Sequence, residues 1–260
     1  MPASIVVGPR QRLHFEVRTV PWSQPLHWVG CAWRDLRALG GASIAHGVLI
    51  TAFGVILLLI GGTHPYYIAA LVSGFMLAGP VVSVGLCELS RRRSAGEPAT
   101  FDASLEGFSR HGTAILEFGG ILAAMTLAWF VASEFLLRSL FHYRAPTLND
   151  VLYGGLLTST TSPQLLQYLL AGALLALIAF SLSVVAVPLI LDRDATAGEA
   201  MRTSLKAVST NIPAMIVWSG LLVLLAALGF ATLLVGLVIT VPLMGHATWY
   251  AYRDLVREGP

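Results

Sequence analysis

Charged side chains are scarce in this sequence. Only 12% of its 260 residues are Asp, Glu, Lys or Arg, whereas ordinary soluble domains contain about a quarter. Because 56% of the residues are hydrophobic, a soluble fold could not cover its surface with polar groups. The same composition excludes a disordered chain, and a formal net charge of +2 gives no reason to expect a nucleic acid partner. The composition therefore predicts a polytopic membrane protein.

Cysteines and catalytic motifs are also scarce. The two cysteines, Cys31 and Cys87, have no metal-binding spacing, and on a cytoplasmic face a disulfide between them would not persist. The chain contains no Gly-x-Ser-x-Gly, no His-Glu-x-x-His and no phosphate-binding loop, which are signatures of common catalytic sites. The sequence thus favours a protein that is not an enzyme. It predicts no catalytic residues, metal or cofactor, and it is compatible with a bound lipid.

Long stretches without charge are abundant. Residues 38–87, 151–191 and 207–252 contain no Asp, Glu, Lys or Arg. A bilayer core of about 30 Å needs roughly 20 helical residues, so the first and last stretches are each long enough for two spans. The predicted spans are 43–61, 66–86, 113–137, 165–191, 212–229 and 231–251. The expected fold class is an all-α membrane protein with six transmembrane helices.

The basic residues predict the orientation of these spans. Fourteen of the 16 Lys and Arg residues lie in the N-terminal segment, after the second and fourth spans, or after the sixth. Arg138 and Arg144 fall on the other side. Because basic residues concentrate on the cytoplasmic side, we expect a multi-pass protein of the bacterial inner membrane with both termini cytoplasmic. Residues 1–25 then form an N-terminal cytoplasmic segment and residues 26–256 a single membrane domain.

Amphipathic segments precede the first, third and fifth spans. In residues 26–39, the apolar side chains share one helical face, and Asp35 lies with the basic residues on the other. Before the fifth span, Thr196 and Glu199 have the spacing of a capping box. Residues 104–114 match residues 204–214 at an offset of 100. We therefore expect three parallel pseudo-repeats, each an interfacial helix followed by a helical hairpin, at about 26–93, 100–194 and 196–256.

The second span of each pseudo-repeat contains a proline, namely Pro80, Pro188 and Pro242. A proline inside a helix removes a backbone hydrogen bond and kinks the helix. Three kinks at equivalent depth would either open a small cytoplasmic-side cavity or simply fit the helices to one another.

His46, Glu117 and His246 form the candidate intramembrane polar cluster, because each is expected about one helical turn inside a span. Ionisable residues at such positions are functional candidates by default. A Glu–His pair would suit a proton relay, a clamp for a polar ligand or a metal site. A hydrogen-bonded pair that only locks helices together is the structural alternative.

Residues 138–164 form the only sizeable loop predicted on the outer side. Phe141, Tyr143 and Tyr153 are the candidates there for contact with a partner. An aromatic belt at the membrane surface would explain the same residues.

Several motifs resemble a known bacterial family. They are Trp33-Arg-Asp-Leu36, the stretch from Gly74 to Pro80, Glu88 to Arg93, Leu191-Asp-Arg-Asp194, Gly245 to Trp249 and Tyr252-Arg-Asp-Leu255. The family is one of predicted integral membrane proteins with a domain of unknown function, and the resemblance covers residues 20–256. It implies a six-span inner-membrane protein and no established activity.

Two functions remain open from the sequence. The favoured one is an accessory or scaffolding subunit of a larger inner-membrane complex. The alternative is a carrier or binding protein for a small solute or lipid, with a cytoplasmic-side cavity around His46, Glu117 and His246. The expected partners are the lipid bilayer and other membrane-protein subunits, with a homo-oligomer as the alternative.

Overall fold

The computed structural model describes residues 15–61, 74, 79–140 and 162–258. In chain order the elements are β1 Phe15–Val17, α1 Gln24–Ala38, α2 Gly40–Gly61, α3 Val84–Ala95, α4 Phe101–Arg110, α5 Gly112–Leu140, α6 Ser162–Ser183, α7 Ala186–Arg193, α8 Ala197–Thr210, α9 Ile212–Ala231, α10 Leu237–Leu255 and β2 Val256–Glu258. Most of the second predicted span, 66–86, lies outside the described residues. Phe141, Tyr143 and Tyr153 lie outside them as well.

Four stretches of the described residues are long and apolar enough to cross a membrane: Gly40–Leu59, Gly112–Leu136, Leu166–Arg193 and Ile212–Ala231. They coincide with the first, third, fourth and fifth predicted spans. Helix α10 covers most of the sixth predicted span, but it begins later, at Leu237, and its last turn contains the charged residues Arg253 and Asp254. It is not among the four stretches. The described part of the chain is therefore a helical membrane protein with four candidate spans.

Three short helices lead directly into candidate spans. Helices α1, α4 and α8 are each separated from the next helix by one residue, which is Leu39, His111 or Asn211. The capping box predicted before the fifth span is confirmed, because the Thr196 hydroxyl accepts a hydrogen bond from the Glu199 backbone N–H and the Glu199 carboxylate accepts one from the Thr196 backbone N–H. This cap fixes where α8 begins.

Asp35 is not on a solvent-facing side of α1, and the sequence prediction was wrong on this point. The helix buries Trp28, Cys31, Ala32, Asp35 and Leu36 together. Its large apolar residues with exposed surface are Leu26 and Trp33, at 55% and 40%. Helix α1 therefore packs through a mixed face, and the Asp35 carboxylate needs partners inside the protein.

The three prolines have different effects on their helices. Pro80 precedes a break at Ser83. Pro188 follows a break between α6 and α7, and the Val185 amide at that break donates to the Ser204 hydroxyl over 3.4 Å. Pro242 lies inside the continuous helix α10. The three prolines therefore lie at different positions relative to the breaks in their helices.

A short antiparallel pair of strands joins the two ends of the described chain. Phe15 pairs with Glu258, and Val17 pairs with Val256. Asn211 holds the same N-terminal segment, because its side chain accepts from the Val20 amide over 2.8 Å and donates to the Arg18 carbonyl over 2.9 Å. Residues 15–20 are therefore attached to the helical domain.

Candidate functional site

A chain of buried hydrogen bonds links α1, α2, α3 and α10. The Ser90 hydroxyl donates to the Asp35 carboxylate over 2.6 Å and lies 2.8 Å from Nδ1 of His246. Nε2 of His246 lies 2.9 Å from the Ser43 hydroxyl. All four side chains are at most 1% exposed. We call these four residues the Asp35–His246 network.

The donors and acceptors of this network have one consistent arrangement for a neutral imidazole. A carboxylate only accepts, so the single proton of Ser90 is used on Asp35. Nδ1 of His246 must then donate to Ser90, and its Nε2 accepts from Ser43. Asp35 also accepts from Tyr250 over 2.8 Å and forms an ion pair with Arg93. The network can therefore hold helices together with its polar groups satisfied.

His46 lies close to this network but has its own partners. Its Nδ1 donates to the Ala42 carbonyl over 2.9 Å, and its Nε2 lies 3.2 Å from the Ser104 hydroxyl of α4. Its ring packs on Phe101 with 4.8 Å between the ring centroids. A Cβ on Gly85 would be 2.3 Å from Nε2, so α3 can pass the imidazole only because residue 85 is glycine.

Glu117 does not join the two histidines. It lies on the exposed side of α5, next to Leu116, whereas Ile115 and Phe118 are buried. The physical reason is helical phase. In the frame that aligns Asp35 with Ser104, His46 corresponds to Ile115, and residue 117 is turned by about 200° from that position. The carboxylate beside the histidines is therefore that of Asp35.

The recurrence of a short motif was the sequence signal for this carboxylate. Residues 32–36 and 251–255 both contain Arg-Asp-Leu after an aromatic residue. Asp35 belongs to the network above, and Asp254 accepts from both Gln24 and Trp28 over 2.7 Å. Both aspartates thus bind side chains from other parts of the fold. The interpretation of α1 as an amphipathic helix with Asp35 on its polar face does not predict these contacts.

A second charged cluster surrounds Glu88, whose side chain has no exposed surface. Arg91 and Arg92 pair with it at 2.7 and 2.8 Å, and Arg110 reaches it from the end of α4. Burial alone would raise the pKa of Glu88, but hydrogen bonds from Arg91 and Arg92 and the charge of Arg110 lower the pKa below its ordinary value. The cluster therefore holds an ionised carboxylate between α3 and α4.

An apolar cavity of about 520 Å³ lies among the candidate spans. Its lining comes from α2, α5, α6, α9, α10 and the residues just before α3. Pro80 lines it, but His46, Glu117, His246, Pro188 and Pro242 do not. This cavity is therefore lined by apolar residues and not by the predicted polar cluster.

Two aromatic side chains mark one side of this cavity. The rings of Trp129 and Tyr168 lie 5.4 Å apart, and the Tyr168 hydroxyl is 3.0 Å from that of Ser133. Both rings line the cavity, and so does Trp218 on α9. The described residues contain no group of three or more His, Cys, Asp or Glu side chains arranged to hold a metal ion.

Apolar helices, closed polar networks and an apolar cavity define a helical integral membrane protein. Residues 68–192 match the family model described as "Predicted integral membrane protein (DUF2189)". This match confirms, for that part of the chain, the resemblance to a family whose domain has no known function. No curated protein matches the chain, and no solved structure matches it.

Proposed function

We propose that this protein is a non-catalytic membrane protein that binds an apolar molecule, such as a lipid, in the cavity between its spans. The observation that carries this proposal is the cavity of about 520 Å³. Protein interiors are close-packed and contain few voids larger than a water molecule. Ligand pockets usually measure about 300–1,000 Å³, so the volume suits a small lipid or a comparable hydrophobic solute.

The polar networks support a binding role over a catalytic one. The Ser43–His246 pair contains the groups of a hydroxyl nucleophile and a base, but neither residue lines the cavity or has exposed surface. A substrate would have no route to this hydroxyl. We therefore assign His46 and His246 to holding α2, α3, α4 and α10 together, beside the binding cavity.

The proposed topology has six spans in the bacterial inner membrane with both termini in the cytoplasm. The β1–β2 pairing supports it, since paired strands at the two ends of the chain must lie on one side of the membrane. Ser43 and Ser90 both bind His246. The chain therefore leaves this side along α2 and has returned by α3, for which the proposed span 66–86 provides a crossing. The excess of basic residues makes this side cytoplasmic.

Three parallel pseudo-repeats are part of the same proposal. Single-residue breaks at positions 39, 111 and 211 precede α2, α5 and α9. Asp35, Ser104 and Ser204 are aligned by the sequence frame, and each is at most 1% exposed. These recurrences support repeats at about 26–93, 100–194 and 196–256.

Accessibility of a single thiol tests the topology. Ala95 is exposed at the end of α3, and Ala95→Cys in a chain with both native cysteines replaced by serine gives one reactive site. A membrane-impermeant maleimide should label it in inverted vesicles and leave it unlabelled in intact spheroplasts. Labelling in spheroplasts would overturn the proposed orientation.

The binding function is tested by filling the cavity. Ala226 lines it, whereas the adjacent Ala227 is exposed on the same helix. After gentle detergent extraction, native mass measurement should find a bound apolar molecule on the wild type and on Ala227→Phe. The bound molecule should be missing from Ala226→Phe. The circular dichroism spectrum of this variant should remain that of the wild type. Equal occupancy of the two variants, or an empty wild-type protein, would contradict the proposal.

A second candidate is an accessory or scaffolding subunit, favoured by the outer face of α5. Gly120, Ala124, Ala128 and Ala132 recur at four-residue spacing, and all are exposed. Small residues at this spacing let membrane helices approach closely. Glu117 stands on the exposed side of the same helix. The partner would be another membrane subunit or a second copy of the chain.

Bulky residues on this face separate the two candidates. Ala124→Leu should abolish any co-purifying subunit or dimer if α5 is a docking helix, while the cavity ligand stays bound. Leu127→Ala, on the same exposed side of α5, serves as the control. A stable wild-type monomer that carries its ligand would contradict the accessory function and leave the binding function standing.

A further inference from the structure

We infer that the exposed side of α1 binds the headgroup of an anionic phospholipid through Arg34 and Arg37. This surface is separate from the cavity, so the inference goes beyond the proposed binding function and does not depend on it. Both arginines are exposed. Nη2 of Arg34 donates to Sγ of Cys31 over 3.0 Å, and the guanidinium of Arg37 lies over the Trp33 ring, 4.9 Å from its centroid.

The two arginines have no ion pair with any acidic residue of the part of the chain that the structure describes. Asp35 is the only acidic residue in the sequence of α1, and its carboxylate is buried and pairs with Arg93. The arginines of α3 differ, because Arg91 and Arg92 both pair with Glu88. The exposed side of α1 therefore carries two positive charges that an anionic ligand can neutralise.

The exposed side of α1 continues into the exposed side of the first candidate span. Leu39 alone separates α1 from α2, and its amide still donates to the Asp35 carbonyl over 2.8 Å. Exposed residues recur every three or four positions along both helices, at 26, 30, 33, 37 and 41 and then at 48, 52, 56 and 59, with position 45 partly exposed between them. The side of α1 that carries the arginines thus leads directly to the lipid-facing side of α2.

The arginines also lie at the depth of lipid headgroups. The candidate span begins at Gly40, and a helix rises about 1.5 Å per residue. Arg34 and Arg37 are therefore within about 10 Å of the start of the span, where the polar region of the bilayer borders its hydrocarbon core.

Apolar side chains on the same side of α1 suit this location. Leu26 and Trp33 are exposed, and tryptophan is enriched where a membrane meets water. Trp33 also holds the guanidinium of Arg37 by a cation–π contact. A guanidinium bound through its face keeps the N–H groups at its edge available, and these groups bind phosphate oxygens in pairs.

Two glycines leave room for a headgroup beside the arginines. Nothing lies within 4 Å of the position that a Cβ would occupy on Gly30 or Gly41. Gly30 is one helical turn before Arg34, and Gly41 follows Arg37 by four residues. Because this side of α1 has cations and no exposed carboxylate, it favours a phosphate group without a neighbouring ammonium group.

The headgroup preference of the full chain in detergent tests the inference. Native mass measurement gives apparent dissociation constants for dioleoyl phosphatidylglycerol, which is anionic, and for dioleoyl phosphatidylcholine, which has the same acyl chains and no net charge. The lining of the cavity contains no Asp, Glu, Lys, Arg or His. A lipid bound there therefore contributes no preference for either headgroup.

Three sets of variants locate the site. Arg34→Gln combined with Arg37→Gln removes both cations. Gly30→Glu adds a negative charge beside them, and Gly30→Gln is its matched neutral control, since the position is open to a side chain. Arg257→Gln removes the same charge from an exposed arginine of β2.

The expected result is a preference that depends on α1. One basic residue near an anionic lipid surface contributes about 1 kcal/mol, or about fivefold in affinity. The wild type should therefore bind phosphatidylglycerol about 25-fold more tightly than phosphatidylcholine, and the double arginine variant should bind both lipids equally. Gly30→Glu should bind phosphatidylglycerol about fivefold more weakly than Gly30→Gln does. Arg257→Gln should keep the wild-type preference.

Three results would overturn the inference. A wild type without a headgroup preference has no anionic lipid site. An equal loss in Arg257→Gln means that phosphatidylglycerol responds to the net charge of the protein, and equal binding by the two Gly30 variants places the lipid away from α1. A cavity found empty would contradict the proposed binding function and leave this inference standing.

Discussion

Gly47 of α2 lies directly against the backbone carbonyl of Val238 in α10. A Cβ on residue 47 would be only 2.1 Å from that oxygen. Val238 is four residues before Pro242, which has no N–H, so the helix cannot pair this carbonyl in the usual way. The proline and the glycine thus act together, because the carbonyl freed in one helix is covered by the close approach of the other.

Gly47→Ala should therefore destabilise the protein. Alanine stabilises a helix by about 1 kcal/mol relative to glycine. Here, however, the methyl group would meet backbone atoms that cannot move without separating α2 from α10. We expect a net loss of about 2 kcal/mol, measured as a lower apparent melting temperature in detergent. Gly41→Ala is the control, since nothing lies within 4 Å of its Cβ position, and it should be neutral or slightly stabilising. Equal effects of the two changes would contradict the close contact.

The Asp35–His246 network gives a second prediction. Ser90→Ala removes the acceptor of the His246 Nδ1 proton and one donor to Asp35. Leaving buried polar groups unpaired costs about 1–3 kcal/mol. We therefore expect Ser90→Ala to lower the free energy of unfolding, measured by thermal unfolding, by about 2 kcal/mol.

Ser109→Ala is the control for this change. Ser109 is exposed on α4 and its hydroxyl bonds only the Glu106 carbonyl. The free energy of unfolding of Ser109→Ala should stay within about 0.5 kcal/mol of the wild-type value. A Ser90→Ala protein as stable as Ser109→Ala would show that the network does not hold the helices together.

The sequence could predict a helical membrane protein because the bilayer alone dictates the hydrophobic composition and the length of the uncharged stretches. Four of the six predicted spans coincide with candidate spans of the described chain. The capping box at Thr196 was also predictable, since it depends on residues only three positions apart. The phase of Glu117 was not predictable with the precision required. A frame uncertain by two residues turns a helical side chain by about 200°, from the interior to the lipid.

The partners of Asp35 could not be predicted for a different reason. Ser90 and Tyr250 lie 55 and 215 residues away in the chain. A charged residue on an amphipathic helix is ordinarily solvated, and only the tertiary fold brings enough donors to bury it. The position of the cavity likewise depends on how several helices meet, which no local pattern contains.

Cys87 should be unreactive in the folded protein. It has no exposed surface, and burial raises the pKa of its thiol to about 12, whereas the thiolate is the reactive form. In a Cys31→Ser chain at neutral pH, a maleimide should label Cys87 only after unfolding in sodium dodecyl sulfate. Ala95→Cys in the chain without native cysteines should label at once. Rapid native labelling of Cys87 would contradict the packing of α3 against α10.

The Glu88 cluster predicts how stability depends on pH. The pKa of Glu88 in the folded protein is lowered from about 4.5, so its ion pairs stabilise the fold fully above that value. The stabilisation is lost as the pH falls through the lower folded-state pKa, where the carboxyl group takes up a proton. Removing one partner of a buried ion pair typically costs about 3 kcal/mol. Glu88→Gln should therefore lower the unfolding free energy by about that amount at neutral pH.

The difference between wild type and Glu88→Gln should narrow progressively below about pH 4.5, because the wild type then loses the same charge. Melting curves of both proteins from pH 7 to pH 3 measure this directly. Glu97→Gln is the control, since Glu97 pairs with Arg91 at 3.0 Å but keeps 43% of its side chain exposed, and exposed pairs contribute at most about 1 kcal/mol. A difference for Glu88→Gln that stays constant across this range would mean that the loss comes from packing, and the charge of Glu88 would then have no part in holding α3 to α4.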